Sequence, residues 1–296
     1  MGAYASLQDW DGLYRFGWSH SKANMFAPNP VKGFDIVTDP VGQLTERQIV
    51  LLFGRRDVKP GEKLYGYEVS KADAFEGGLG DMWSKNLFPH AFTQLGYLSR
   101  IGSFTRESGR PNLEFAGVYD AKSRDGIAKF PKRGVSDTGE IAIDMTVGHL
   151  TVKTPRTAAV AAVDKGDVKA GPLAVKGATV SCAVSASSMD GADLAKSKRI
   201  LVFHITDVLN TDIQFGDDAS RDLQSWGKLP YLARTGSASI TLENANKGLT
   251  VWALASDGTR LRKVPATYAN GAYTFTAAVV KGEGKDAPTM IYELAN

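Results

Sequence analysis

What this sequence has little of narrows it first. It carries one cysteine, Cys182, so no disulfide can form within the chain and neither an oxidising nor a reducing compartment is required. Cys182 stands in the apolar run Ala178–Ala186 and reads as a buried thiol on a strand rather than a nucleophile. No apolar run approaches the about 20 residues that span a bilayer, so no membrane partner is expected. The opening Met1-Gly2-Ala3-Tyr4 lacks the basic start and apolar core of a signal peptide. Charge of one sign is missing too: 35 basic side chains against 32 acidic ones leave a net +3, which calls for no nucleic-acid partner.

Motifs that carry chemistry are equally scarce. The four histidines, His20, His90, His149 and His204, are scattered, with no HExxH or His-x-His pair, so no zinc site, no other metal and no cofactor is expected. Asp207, Asp212, Asp217, Asp218 and Asp222 gather loosely, but at spacings that fit no calcium loop, and they read as a solvated segment. There is no G-x-S-x-G nucleophile elbow. The two S-x-x-K matches, Ser19–Lys22 and Ser225–Lys228, are at the level of chance. Gly77-Gly78-Leu79-Gly80 is followed by no G-K-[ST] and reads as no phosphate loop.

What is present is an ordinary globular composition in 296 residues, enough for two domains, expected at 1–115 and 116–296. The first is aromatic-rich and mixed. Tyr4–Trp10 reads as a helix. Leu13-Tyr14-Arg15-Phe16-Gly17-Trp18 reads as a short strand. Asn24–Asp39 reads as irregular around Pro28 and Pro30. Pro40 suits a first helical position, and Leu44, Ile49, Leu51 and Leu52 predict a helix running to Phe53. Leu64–Val69 reads as a strand and Ser84–Leu98 as a helix interrupted by Pro89. Between 100 and 133, eight basic and four acidic residues with several glycines read as a solvated connecting loop.

From Glu140 onward the pattern is β almost throughout. Strands are expected at Ile141–Val147, Leu150–Val152, Thr157–Val163, Ala178–Ala186, Arg199–Thr206, Ser237–Leu242, Leu249–Leu254, Ala272–Val279 and Thr289–Leu294. Turn signals separate them at Asp164-Lys165-Gly166-Asp167, Asn246-Lys247-Gly248, Ser256-Asp257-Gly258 and Asn270-Gly271. The last is a type I′ hairpin signal. The expected fold class is mainly β: a C-terminal antiparallel β-sandwich preceded by an incomplete α/β segment.

The stretch Ala3-Tyr4-Ala5-Ser6-Leu7-Gln8-Asp9-Trp10-Asp11-Gly12-Leu13-Tyr14-Arg15-Phe16-Gly17-Trp18 resembles the end of the (β/α)8 barrel in clan A glycoside hydrolases, family 5-like enzymes especially. Phe34–Pro40 and the helix after it are similar to the segment that comes next in those enzymes. The phrases Val152–Thr157, Leu201–Asn210, Val251–Leu254 and Met290–Leu294 resemble the C-terminal β-domain of the same group. The resemblance implies a retaining glycosidase lineage acting on or binding β-linked oligo- or polysaccharide, in a parent protein that is secreted or periplasmic. It also implies that both catalytic glutamates lie upstream of Met1, so that this chain is a C-terminal fragment. An uncovered barrel edge would then favour a homo-oligomer.

For individual residues, the resemblance places Trp18 as an aromatic platform at the end of the eighth strand, where an indole face suits the C–H face of a sugar. Tyr14 and His20 flank it with groups able to bind hydroxyls. Asp9, Asp11 and Asp35 are the weak catalytic candidates, since glycoside hydrolysis needs a carboxylate pair at a set separation; Asp39 stands with them. The alternative function is a non-catalytic carbohydrate-binding or structural sandwich module. Trp226, in Ser225-Trp226-Gly227-Lys228-Leu229-Pro230, is a further sugar-platform candidate, whereas Trp10 and Trp252 read as core.

Overall fold

The computed structural model describes residues 1–72, 88–161 and 166–296. The glycine cluster at 77–80, the start of the helix expected from Ser84, the last two residues of Thr157–Val163 and the turn at 164–165 lie outside the described residues. The chain forms two compact units, each from two stretches: Met1–Gly12 with Val58–Leu150, and Leu13–Asp57 with Thr151–Asn296. The position 115/116, where the sequence suggests a boundary, falls inside the first unit.

The α-helices are α1 (Gly2–Leu7), α2 (Lys22–Phe26), α3 (Pro40–Ile49) and α4 (His90–Leu95). None of the described helices is long and apolar enough to cross a membrane. The first unit holds β1 (Leu64–Val69), β2 (Arg100–Thr105) and β3 (Gly117–Tyr119) in a small parallel sheet, ordered β2-β1-β3. It also holds the antiparallel pair β4 (Arg133–Val135) and β5 (Ile141–Asp144). The expectation of a loop over 100–133 is therefore corrected: β1 and β2 pair in register from Leu64↔Arg100 to Val69↔Thr105. The basic residues that suggested solvent sit at strand ends and in the intervening turns. Ile101 and Tyr119 pack against a core of Tyr67, Val69, Phe92 and Ile127.

The second unit is the sandwich. After β6 (His149–Lys153) come β7 (Thr157–Ala161), β8 (Val168–Ala170), β9 (Leu173–Lys176), β10 (Ala183–Ser188) and β11 (Arg199–Ile205). Then follow β12 (Val208–Thr211), β13 (Gln214–Phe215), β14 (Leu223–Ser225), β15 (Lys228–Ala233) and β16 (Gly236–Glu243). The last five are β17 (Thr250–Leu254), β18 (Arg260–Val264), β19 (Ala266–Ala269), β20 (Ala272–Val279) and β21 (Ile291–Ala295). The larger sheet runs β18-β17-β21-β11-β10-β7 and the smaller β19-β20-β16-β9-β8, with β12-β15 and β13-β14 as separate pairs. The fold is mainly β in antiparallel sheets, and the described strands close no barrel.

Period-two alternation sorts the side chains. Val184, Ala186, Ile200, Val202, Val251 and Ala253 of the larger sheet face Leu173, Val175, Ile240, Leu242, Tyr273 and Phe275 of the smaller in one buried core. The intervening residues of β11 and β17 face outward. Phe203, Ile205 and Leu254 form a second cluster with Met290 and Ile291, and Leu44 of α3 closes it. Pro40 occupies the first position of α3, as its fixed φ favours. The helix ends in a wider turn, with Arg55 N–H donating to Val50 O at 2.7 Å.

Three further expectations change. Leu13–Trp18 forms no strand; the carbonyls of Gly17 and Trp18 accept from Ile36 and Val37 instead. The strand expected from Ala178 starts at Ala183. Trp10 is not core but 50% exposed. Asn270 and Gly271 both have positive φ, 52° and 76°, and join Ala269 to Ala272 as a type I′ turn requires.

Candidate functional site

The segment Leu13–Asp39 in the second unit gathers most of the residues that the sequence singles out. Its path is set by a few polar anchors. Gly17, at φ +74°, turns the chain where a Cβ would meet the His20 ring and the Phe34 carbonyl. Gly17 O and Trp18 O accept from the N–H groups of Ile36 and Val37, each at 3.1 Å. Ser21 caps α2, its Oγ accepting from Asn24 N at 3.1 Å. Across the loop after α2, the buried Asn210 of β12 accepts from Val31 N and donates to Val31 O, both at 2.9 Å. The same amide donates to Trp226 O at 2.6 Å. Tyr231 of β15 donates to Asn29 O. Trp226 and the 29–31 loop thus share one buried anchor.

At the centre of the segment lies Asp35, whose side chain is buried. Its Oδ1 accepts from His20 N at 2.9 Å and bonds the Nδ1 of the same histidine, while Oδ2 accepts from Asn24 Nδ2 at 2.7 Å. The Asn24 and His20 hydrogen bonds hold the Asp35 carboxyl below the ordinary carboxylate range, against the upward push of burial. A carboxylate so placed is an ionised acceptor, not a proton donor. Its bond to Nδ1 directs the other ring nitrogen, Nε2, away on a half-exposed imidazole.

The same segment leaves several aromatic rings exposed. Tyr14 is 96% exposed and Trp18 53%. Phe16, Phe26 and Phe34 are exposed as well. Phe16 touches both His20 and Phe34, with ring centroids 5.5 Å apart in each pair. Trp226 is 38% exposed at the turn between β14 and β15. The segment thus offers exposed apolar faces, with Phe16 beside one oriented imidazole, a combination suited to a ligand with both C–H faces and hydroxyls.

None of the hydrogen bonds to Asp35 comes from a second carboxyl. Asp9 and Asp11 belong to the first unit. Asp9 has φ +56° and lies 3.7 Å from Arg100 Nη1, and Asp11 is exposed. Asp39 precedes α3 as its N-terminal residue. Of the acidic group in 207–222, Asp212 pairs with Lys228 at 2.6 Å, and Asp217 accepts from Arg221 N at 2.7 Å. No three metal-ligating side chains cluster among the described residues. Cys182 is buried, and burial pushes its thiol up to about 11. Trp252 lies between Arg260, 4.8 Å from its ring centre, and Lys263 at 5.3 Å, so its indole face is already occupied.

Sequence reasoning missed Asn24, Phe16, Phe34 and Asn210. Asn24 sits three residues after Ser21, the spacing of an N-cap, and that signal was available. Asn210 carried none, because its contacts with Val31 and Trp226 are distant in sequence. No protein-family model, curated protein or solved structure matches this chain.

Proposed function

We propose that this chain binds a β-linked oligo- or polysaccharide through the Leu13–Asp39 segment, as a carbohydrate-binding β-sandwich protein of glycoside hydrolase lineage. Trp18 and Tyr14 supply the stacking faces, His20 Nε2 accepts a sugar hydroxyl, and Trp226 extends the surface from the shared Asn210 anchor. The observation that carries the reading is the exposed aromatic set beside an imidazole fixed by a buried carboxylate. Hydrolysis is less well served: retaining enzymes need a protonated acid beside an ionised nucleophile, and Asp35, holding three donors, is unsuited to the acid's part. By the same resemblance the protein would be secreted or periplasmic. Affinity electrophoresis in gels containing β-glucan tests it. Retardation that His20→Ala weakens supports the reading, and unretarded migration of the wild type overturns it.

A second reading rests on Phe16, Phe26 and Phe34. Phenyl rings without a polar edge are common at protein contacts, and these three are each more than 70% exposed. In that reading two copies of the chain bury the strip as a homo-oligomer. Light scattering across a concentration series decides it: a dimer that Phe26→Ser dissociates is the expected result, and a monomer throughout removes the reading.

A further inference from the structure

A cavity of 490 Å³ lies in the second unit between α3 and the outer face of the larger sheet. That volume is in the range that holds small organic ligands. Its walls are chiefly apolar: Val37 and Leu44 on the helix side, Val208, Leu254, Met290 and Ile291 on the sheet side. None of Tyr14, Trp18, His20, Asp35 or Trp226 lines it, although Val37 at the end of the same segment does, so the cavity takes none of the groups proposed to contact a sugar. A sugar, with a hydroxyl on nearly every carbon, would leave those hydroxyls unpaired against such walls.

The polar groups in the lining are nearly all committed. Gln43 Nε2 donates to Val37 O at 2.8 Å, the Tyr231 hydroxyl to Asn29 O, and the Thr289 hydroxyl to Leu254 O. Arg47 is different. It is the one cation in the lining and no carboxylate is among the lining residues. It makes no ion pair among the described residues, and its bonds are to backbone carbonyls alone, Gln43 O at 2.9 Å and Ser256 O at 3.4 Å. A guanidinium keeps five N–H donors in a fork that matches a carboxylate, so most of its capacity is unspent. Glu46, its neighbour on α3, is paired with Arg15 at 3.0 Å, and Asp39 lies eight residues earlier, before the helix begins, so neither pairs with Arg47.

We propose that this cavity binds a small amphipathic anion, an aryl or short-chain alkyl carboxylate, with its apolar body against Leu44, Leu254 and Ile291 and its carboxylate on Arg47. The proposal is independent of the sugar-binding reading.

The experiment is an NMR titration of the full chain carrying 13C-methyl methionine. Met290 lines the cavity, whereas Met189 does not. 4-Phenylbutyrate is expected to shift the Met290 methyl saturably and leave Met189 in place. Arg47→Gln, an exposed position that can change without disturbing the core, should weaken the acid about tenfold, the loss expected for one charge-assisted hydrogen bond. The neutral 4-phenylbutyramide should bind wild type and R47Q alike. An unmoved Met290 resonance overturns the proposal, as does equal affinity of the acid for wild type and R47Q. Thermal melts of both proteins verify that R47Q is folded.

Discussion

Asp35 and His204 are both buried ionisable groups, yet their surroundings send them in opposite directions. Asp35 is ionised because Asn24 and His20 donate to it. Its depressed pKa means that its contribution to stability is fully present above the ordinary carboxylate value of about 4 and is lost as pH falls through the lower, folded value. Asp35→Asn keeps the shape and removes the charge. The expected result is a weaker acid limb in a stability–pH profile and a His20 ring whose NMR tautomer signature is no longer fixed; an unchanged His20 spectrum would speak against the orienting role.

His204 lies in the main core with neither ring nitrogen bonded to a partner. Burial lowers its pKa from 6.5 to about 4. The unfolded chain therefore binds a proton that the folded chain refuses between those values. Stability should be insensitive to His204 above pH 6.5 and fall as pH drops from 6.5 to about 4, by on the order of 3 kcal/mol. His204→Leu removes that slope without a lost hydrogen bond at neutral pH. Urea titrations at a series of pH values measure it, and an identical slope in the variant would refute the assignment.

Among the elements, the β14–β15 turn holds Trp226 in place. Gly227 has φ +72°, and an added Cβ would overlap the Thr211 carbonyl oxygen and sit 2.6 Å from Ile213 N. Gly227→Ala is expected to cost more than about 1 kcal/mol from the left-handed conformation alone and to change Trp226 fluorescence. Wild-type stability in this variant would contradict the tight turn.

Elements were legible from sequence in proportion to how local their causes are. In β16 and β20 apolar and polar residues alternate, β11, β17 and β21 are near-continuous apolar runs, and Asn270-Gly271 specifies its own hairpin; each lies within two residues of where the pattern puts it. Leu13–Trp18 has strand composition but no sheet partner, and Arg100–Thr105 looked like a loop because Ile101 and Phe104, three residues apart, make no period-two pattern among its charge and glycine. The short strands β8, β12 and β18 carried too few apolar residues to stand out, and Pro230 breaks the strand pattern of β15. At the site, Trp18, Tyr14 and His20 were singled out together as one sugar-facing group, and Asp35 apart from them as a weak catalytic candidate. Their meeting depends on the Asp35 hydrogen bonds and the Asn210 anchor, which no local pattern announces.

For the whole molecule, each unit has a core of its own, Tyr67 and Phe92 in the first and the inter-sheet layer in the second. The net charge of +3 is small, so affinity for a neutral glycan is expected to come from ring stacking and hydrogen bonds. Raising salt should leave glycan retardation unchanged, since those contacts are little screened; a steep loss with salt would point to an ionic ligand instead.

The central claim is that the exposed rings of Leu13–Asp39 bind a glycan. Isothermal titration of the full chain with β-glucan oligosaccharides, comparing wild type with Trp18→Ala, tests it most directly. Saturable heat in the wild type, reduced about tenfold or more in affinity by the loss of one stacking face, is the predicted result. No binding by the wild type, or equal binding by Trp18→Ala, would contradict it.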